Sequence, residues 1–399
     1  MFKAYKYRLY PTKSQKILLE KHFGAVRYIY NKGLALKIEA YQKDKSKISR
    51  YDLQKQVVEM KNSDCSWLRE VNAQSLQFAL FNLDNAFGKF FKKQANFPRF
   101  KSKKNNQSFS CPQQNKVNFD KYKFYCPKFK EGIKTVFSRR FEGKIKTCAI
   151  SRTSTNKYFV SILVDEQNLE IKKVEPKENK CLGIDLGASS FATFSDGEKI
   201  ENPRFLSKKL KKLRKLSKSH SKKKKGSKNR EKSRKKLAIL HEKITNCRKD
   251  FQHKLSKEIA DNQSYNCVAM ETLNIQGMIK NKRLARHIQD CSWYQFKTML
   301  KYKLERNGKQ ILEIGRFQPS SKICSCGEIN NELSLKDRIW TCGKCSTTHD
   351  RDILAANNIV KFAFLTNHLG KGSPDSARKK SVEKPVRVSA KQKVSLISN

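Results

Sequence analysis

The stretch "CLGIDLGASSFATFSDG", Cys181 to Gly197, holds an apolar run, a glycine-bearing turn and a second apolar run that stops at another turn. This pattern predicts two tightly joined strands, with Asp185 at the end of the first. Downstream, "SYNCVAMETL" (264–273) predicts a further strand that ends on Glu271, and "KQILEIG" (309–315) predicts one more. Between them, Trp293, Phe296, Leu300 and Leu304 recur at helical spacing, and Gly308 can end that helix. "DILAANNIVKFAFL" (352–365) predicts a final helix opening on Asp350 and Asp352.

Taken singly, these acids say little, because an Asp before a helix is usually a cap and a Glu at a strand end is usually solvated. Their order says more. A first Asp on a strand–turn–strand, a Glu on a later strand and an Asp on a final helix is how a ribonuclease-H-like fold brings carboxylates together. Such acids hold two Mg2+ ions about 4 Å apart, one activating water and the other stabilising the leaving oxygen.

Upstream, "FKAYKYRLYP" alternates as a strand that Pro11 stops, and Thr12 with Gln15 forms a capping-box pattern ahead of a long helical periodicity. Leu76, Leu80, Leu83 and Phe87 fall on one face of another predicted helix. From 119 to 164 the period shortens, and "KIKTCAISRTSTNKYFVSILV" (144–164) predicts two strands joined around Ser154, Thr155 and Asn156. A small β-barrel or sheet is expected, completed by the N-terminal strand. "KKVEPKENK" (172–180) is a polar linker, and residues 371–399 have a polar, basic, aperiodic composition expected of a disordered tail.

The 399 residues carry 87 Lys and Arg against 36 Asp and Glu, a net charge of +51. That excess repels itself unless a polyanion lies against it, which favours nucleic acid over an anionic membrane surface. No segment approaches the ~18 apolar residues of a spanning helix, and "MFKAYKYRLYPT" lacks a signal peptide's apolar core, so a soluble intracellular protein is expected. The basic run from Lys208 to Lys236 reads as a solvated helical hairpin whose density of like charge favours phosphate contact.

Of 12 cysteines, Cys324, Cys326, Cys342 and Cys345 cluster. Two short pairs separated by ~15–20 residues form a structural Zn2+ ribbon, each pair bending one knuckle around the ion. Cys342 and Cys345 fit one knuckle. Cys324 and Cys326 are one residue short of the usual spacing, although Gly327 follows as a knuckle requires, and His349 could substitute for a ligand if the tight pair cannot chelate.

The segments "YRLYPTKSQ", "FPRFKSKK", "GIDLGASSFATFSDG", "NCRKDFQHKLS", "ETLNIQGMIKNKRLARHIQDCSWYQFKTMLKYK", "PSSKICSCG" and "HDRDILAANNI" resemble, in order and over nearly the whole chain, the TnpB family of transposon-encoded RNA-guided DNA endonucleases related to type V CRISPR effectors. The resemblance implies an α+β multidomain fold. A β-barrel wedge domain (1–10 and 106–172) carries an inserted helical recognition lobe (11–105), followed by a RuvC nuclease domain (178–320 and 350–370) interrupted by a zinc ribbon (321–349). It implies Asp185, Glu271 and Asp352 as catalytic Mg2+ ligands, a guide RNA from the transposon end, and double-stranded target DNA cut beside a short adjacent motif in a prokaryotic cytoplasm or nucleoid. Asp352 is preferred to Asp350 because the family's catalytic Asp begins D-x-N-A-A. Lys101, Lys103, Lys104 and the 222–230 run suit phosphate contact, Arg248, Lys249 and Lys254 an RNA–DNA channel, and Tyr51 and Gln77 motif reading. Two departures stand out. The family's C-x2-C is Cys324-Ser325-Cys326 here, and its usual Asn after D-I is Leu354, which removes a polar contact expected near the metals.

Other functions share this architecture: a nuclease-dead RNA-guided repressor, a DNA-joining transposase, or a basic zinc-ribbon RNA-binding protein without catalysis. Cleavage of a matched target by the guide complex separates the first from a nuclease.

Overall fold

The computed structural model describes residues 1–104, 106–166, 171–316, 318–334 and 336–368, with side chains through 365. The expected 371–399 tail lies outside the described residues. The chain packs as two compact units: Met1–Ile171 with Leu206–Arg248, and Lys172–Phe205 with the residues from Lys249 on.

The first unit opens with β1 (Phe2–Tyr10), α1 (Lys13–Asp44), α2 (Arg50–Asn62) and α3 (Ala73–Phe91). Six strands follow: β2 (Gln107–Cys111), β3 (Lys116–Asn118), β4 (Lys123–Cys126), β5 (Phe129–Val136), β6 (Lys144–Arg152) and β7 (Tyr158–Asp165). Alternation in β1 buries Tyr5, Tyr7 and Leu9 on one face. The strand lies mid-sheet, antiparallel to both β5 and β7. Thr12 and Gln15 form the anticipated capping box, and the Gln15 amide also donates to the Gly132 carbonyl (2.9 Å), tying the helix start to β5. A second capping box, Ser49 with Asp52, starts α2. The β6–β7 hairpin turns at Asn156, whose φ is 62°.

The sheet runs β2-β6-β7-β1-β5-β4-β3. No closed barrel forms among the described residues: the ladder ends at the three-residue β3, which does not return to β2. Helices and sheet, expected as separate lobes, share one core in which Leu19 and Phe23 of α1 and Leu76 and Leu80 of α3 pack with Tyr7, Phe109, Ile150 and Val160 of the strands.

His22 is buried in that core. Its Nδ1 lies 2.8 Å from the Leu18 carbonyl, and its Nε2 accepts from the Asn72 N–H (3.1 Å) at the N-cap of α3. Burial holds its pKa below the ordinary 6.5. The unfolded chain therefore takes up this proton first, so the stabilising contribution is present above pH 6.5 and lost as pH falls toward the folded value. Urea midpoints should fall between pH 7.5 and 5.5, and His22→Gln should flatten that slope.

The second unit holds β8 (Cys181–Asp185), β9 (Ser190–Phe194) and β10 (Lys199–Glu201). The basic run forms α4 (Phe205–Ser221) and the start of α5 (Lys228–Asp261). From Leu206 to Arg248 it packs with the first unit rather than with the domain expected over 178–320. Glu242 of α5 meets Thr155 (3.1 Å) and Lys157 (2.9 Å) at the β6–β7 turn. Next come β11 (Cys267–Glu271), α6 (Ile275–Met278), α7 (Ala285–Cys291), α8 (Trp293–Arg306), β12 (Gln310–Ile314), β13 (Ile339–Thr341), β14 (Thr348–Asp350) and α9 (Arg351–His368).

Five of these strands order as β10-β9-β8-β11-β12, with β8, β9 and β10 antiparallel and β8, β11 and β12 parallel. One face packs Leu182, Ile184, Val268 and Met270 against Leu255, Trp293, Phe296 and Leu300. The other packs Cys181, Cys267 and Ala269 against Ile359, Val360 and Ala363 of α9. Gly183 makes that contact possible, since a Cβ there would lie 2.0 Å from the Ala356 carbonyl oxygen. Among the described residues, no helix is long and apolar enough to cross a membrane.

Candidate active site and metal centre

Strand alternation decides where the acids point. On β8, Cys181 and Gly183 face α9, so Asp185 does too; on β11, Cys267 and Ala269 face α9, so Glu271 follows. The register pairs Ile184 with Met270, which sets Asp185 and Glu271 side by side at the carboxyl ends of neighbouring parallel strands. Asp352 begins α9 on the same stripe as Ala356, Ile359 and Ala363, the residues laid against this face.

Burial, then the charges of Asp352 and Glu271, push Asp185 up to about 7, with Arg351 opposing. Burial raises Glu271 as well. The acids stand further apart than the cysteines: among the described residues, the four cysteines are the one group of three or more ligating atoms within 4.8 Å of one another.

Asp350 is occupied otherwise. Its Oδ1 accepts from the N–H groups of Asp352 (3.0 Å) and Ile353 (3.2 Å), capping α9, while Lys199 donates to its Oδ2 (2.6 Å). Despite burial, these donors hold it below the ordinary carboxylate range. Asp352 is the aspartate of this pair whose charge bears on Asp185. A partner not anticipated from the sequence is Arg338, whose Nη1 lies 3.0 and 3.3 Å from the two Asp352 oxygens and whose Nη2 lies 3.5 Å from Ser189 Oγ.

The four cysteine sulfurs gather at one point. Cys324 and Cys345 approach to 3.5 Å, and Cys326 and Cys342 to 3.7 Å. Four thiolates about 2.3 Å from a tetrahedral Zn2+ stand about 3.8 Å apart, so this donor set fits the ion. The Cys345 sulfur lies 3.2 Å from the Thr347 hydroxyl, and hydrogen bonding with Thr347 pulls its thiol down to about 6. The short Cys324–Cys326 pair therefore reaches the cluster, and His349 is not needed as a substitute ligand; its Nε2 lies 3.0 Å from Cys324 Sγ. Leu354 does not leave a missing polar contact beside the acids. It is buried with Cys324, Leu333, Trp340 and Cys342 in the ribbon's own small core.

In the first unit, Gln77 lines an open groove with Gln54, Gln74, Gln113, Phe78 and Phe81. Tyr51 is exposed, and the Arg50 guanidinium lies over both its ring (5.0 Å) and that of Phe81 (5.4 Å), linking Tyr51 to the groove. Gln74 and Gln77, one turn apart on α3, were the available sequence signal for this cluster. Lys101 is engaged, its ammonium 3.9 Å from the Tyr30 ring centre and its backbone clasped by Asn31. Lys103 and Lys104 are exposed. Along α5, Arg248 is half-buried, Lys249 is exposed, and Lys254 pairs with Asp250 (2.9 Å).

Three family models match the chain: "Probable transposase" (OrfB_IS605) over residues 160–282, "Cas12f1-like, TNB domain" over 293–359 and "Helix-turn-helix domain" (HTH_OrfB_IS605) over 1–46. A Streptomyces pristinaespiralis protein, provisionally named RNA-guided DNA endonuclease, is 35% identical over 375 residues, covering 93% of this chain and 91% of its own. The chain belongs to the OrfB/TnpB family. An Escherichia coli K12 relative with the same provisional name, InsQ, is 29% identical over 90% of this chain and 91% of its own. The protein chain in the cryo-EM structure of a Cas12f1-sgRNA-target DNA complex shares the fold, with a TM-score of 0.55 and 17% identity over 90% of this chain and 98% of that one. Within this OrfB/TnpB chain, the transposase model spans Asp185 and Glu271, and the TNB model spans the four cysteines and Asp352. The helix-turn-helix model falls on β1 and a single 32-residue helix.

Proposed function

We propose that the chain is an RNA-guided DNA endonuclease of a mobile element, cutting DNA by Mg2+-dependent chemistry at Asp185, Glu271 and Asp352. The observation that carries this reading is the meeting of three half-buried carboxylates, where burial and then the charges of Asp352 and Glu271 push Asp185 up to about 7, in a chain of net charge +51. Hard oxygen donors under mutual repulsion suit a hard divalent cation, and two Mg2+ ions would supply the activated water and the stabilised leaving oxygen. The strand order and the acids' placement support a ribonuclease-H-like RuvC domain in the second unit, with the cysteine ribbon holding a structural Zn2+.

The chain's own residues have distinct tasks in this scheme. Asp185 and Glu271 are fixed by adjacent strands, while Asp352 is carried by a helix whose first turn Asp350 caps. Arg338 holds Asp352 by its charge. The basic surface would track phosphates of a guide RNA from the transposon end and of its target, leaving sequence to base pairing. The groove at Gln77 would read the adjacent motif, because a glutamine amide can bond adenine bidentately. Gln77→Ala should relax motif discrimination by about 1–3 kcal/mol while guide retention is unchanged, as read by cleavage of a motif library.

Sequencing of co-purified RNA, followed by cleavage of a matched plasmid with that RNA and Mg2+, tests the proposal. Cut DNA is expected. Binding without cutting would favour the nuclease-dead repressor, and joined ends would favour a transposase.

A further inference from the structure

Helix α9 meets two different neighbours along two stripes. Asp352, Ala356, Ile359 and Ala363 face the sheet. Arg351, Leu354 and Asn358 lie about a third of a turn away by the 3.6-residue repeat, and these face the ribbon. Arg351 donates to the Ser334 carbonyl (2.6 Å), Leu354 enters the ribbon core, and the Asn358 amide donates to the carbonyls of Ser320 (2.8 Å) and Ile323 (2.7 Å). Ile323 is the residue before Cys324, and Leu354 packs in one cluster with Cys324 and Cys342. The β13–β14 ladder joins the same parts, pairing Trp340 with His349 and Ile339 with Asp350. Within β14, His349 meets the Cys324 sulfur (3.0 Å) while its neighbour Asp350 caps α9. From the other strand, Arg338, just before β13, reaches Asp352 itself.

We infer that Leu354 and His349 are positioning residues through which metal loading of the four-cysteine ribbon fixes the first turn of α9, and with it Asp352. Apart from the four thiolates, the ribbon has little of its own to fold around: among the described residues its apolar core is Leu333, Trp340 and a leucine borrowed from α9. Small metal modules gain their fold from the ion, so a metal-free ribbon would release Leu354, His349 and Arg338 together. The sheet-facing stripe would then hold Asp352 from one side alone. Leucine at 354 suits this role because asparagine would bury an amide in a core where the unpaired Trp340 Nε1–H could at most satisfy its oxygen, leaving its NH2 group buried.

The inference rests on the proposed use of Asp352 as a metal ligand, but its test does not need cleavage. Hydrogen exchange on the full chain, before and after zinc is stripped with a chelator, should show residues 351–356 losing protection while β1 and α1 keep theirs. Leu354→Asn should release zinc to the chelator about 10–100-fold faster, the range seen when groups around metal ligands are changed. Leu354→Met should behave as the parent, and His349→Gln should fall between. In cleavage assays, Leu354→Asn should raise the Mg2+ concentration needed for half-maximal rate; a loss confined to the fraction of active molecules would overturn the positioning role. Unchanged exchange at 351–356 after zinc removal, or parental zinc release from Leu354→Asn, would also overturn the inference. If Asp185→Asn still cut DNA, the assignment of cleavage to these acids would fail while the exchange result could stand.

Discussion

Asp185→Asn is expected to abolish target cleavage while RNA-dependent DNA binding survives. The substitution keeps the side chain's size on β8 but removes the negative charge from the position where three acids converge. Loss of an outer group at a metal site costs 10–100-fold, so removal of a proposed ligand should cost at least about 100-fold in rate. The fold should tolerate it. Asp185 is pushed up to about 7 by burial and by its neighbours' charges, so an uncharged amide relieves a repulsion in the metal-free chain. Melting temperature without Mg2+ should hold or rise, and the stabilisation that Mg2+ gives the parent should disappear. A variant that cut DNA normally, or that simply unfolded, would remove Asp185 from the proposed site.

Gly183→Ala should produce a different failure. Its Cβ would lie 2.0 Å from the Ala356 carbonyl oxygen and 2.8 Å from Val360, so α9 must move away from β8. Overpacking of this kind costs about 1–3 kcal/mol, and a backbone oxygen cannot swing aside as a side chain can. Because α9 also carries Asp352, the variant should lose cleavage out of proportion to its loss of stability. Gly24→Ala in α1 supplies the control: nothing lies within 4 Å of its Cβ, and a helical alanine should be neutral or stabilising. Equal behaviour of the two variants, in denaturation and in cleavage, would show that the approach of α9 to β8 does not govern the site.

Periodicity made much of this legible in the sequence. The short apolar runs of "CLGID" and "CVAME" gave strands ending on acids, and the helical spacing of "DILAANNIVKFAFL" gave the element that brings Asp352 to them. Thr12 with Gln15 located the start of α1 because a capping box is a local arrangement. The cysteine spacing located the ribbon even with one knuckle short. What sequence could not supply depends on pairing at a distance. Closure of the first sheet requires β2 to meet β3, and no local pattern reports that they do not. Arg338 reaches Asp352 only because the ribbon folds back on α9, and Leu354 seemed a lost polar contact until its stripe could be seen facing the ribbon core. Asp350 and Asp352 could be ranked from sequence by resemblance alone; that Asp350 serves the cap and Lys199 depends on how α9 and β10 fold together.

The doubled footing of α9 constrains how this region can change in length. One residue inserted between Asp352 and Ala356 would turn Asp352 by about 100° relative to the stripe on the sheet. It would also pull Arg351 out of line with Asn358, so both attachments would be lost at a stroke. Natural length variation should therefore be absent from the first two turns of the helix.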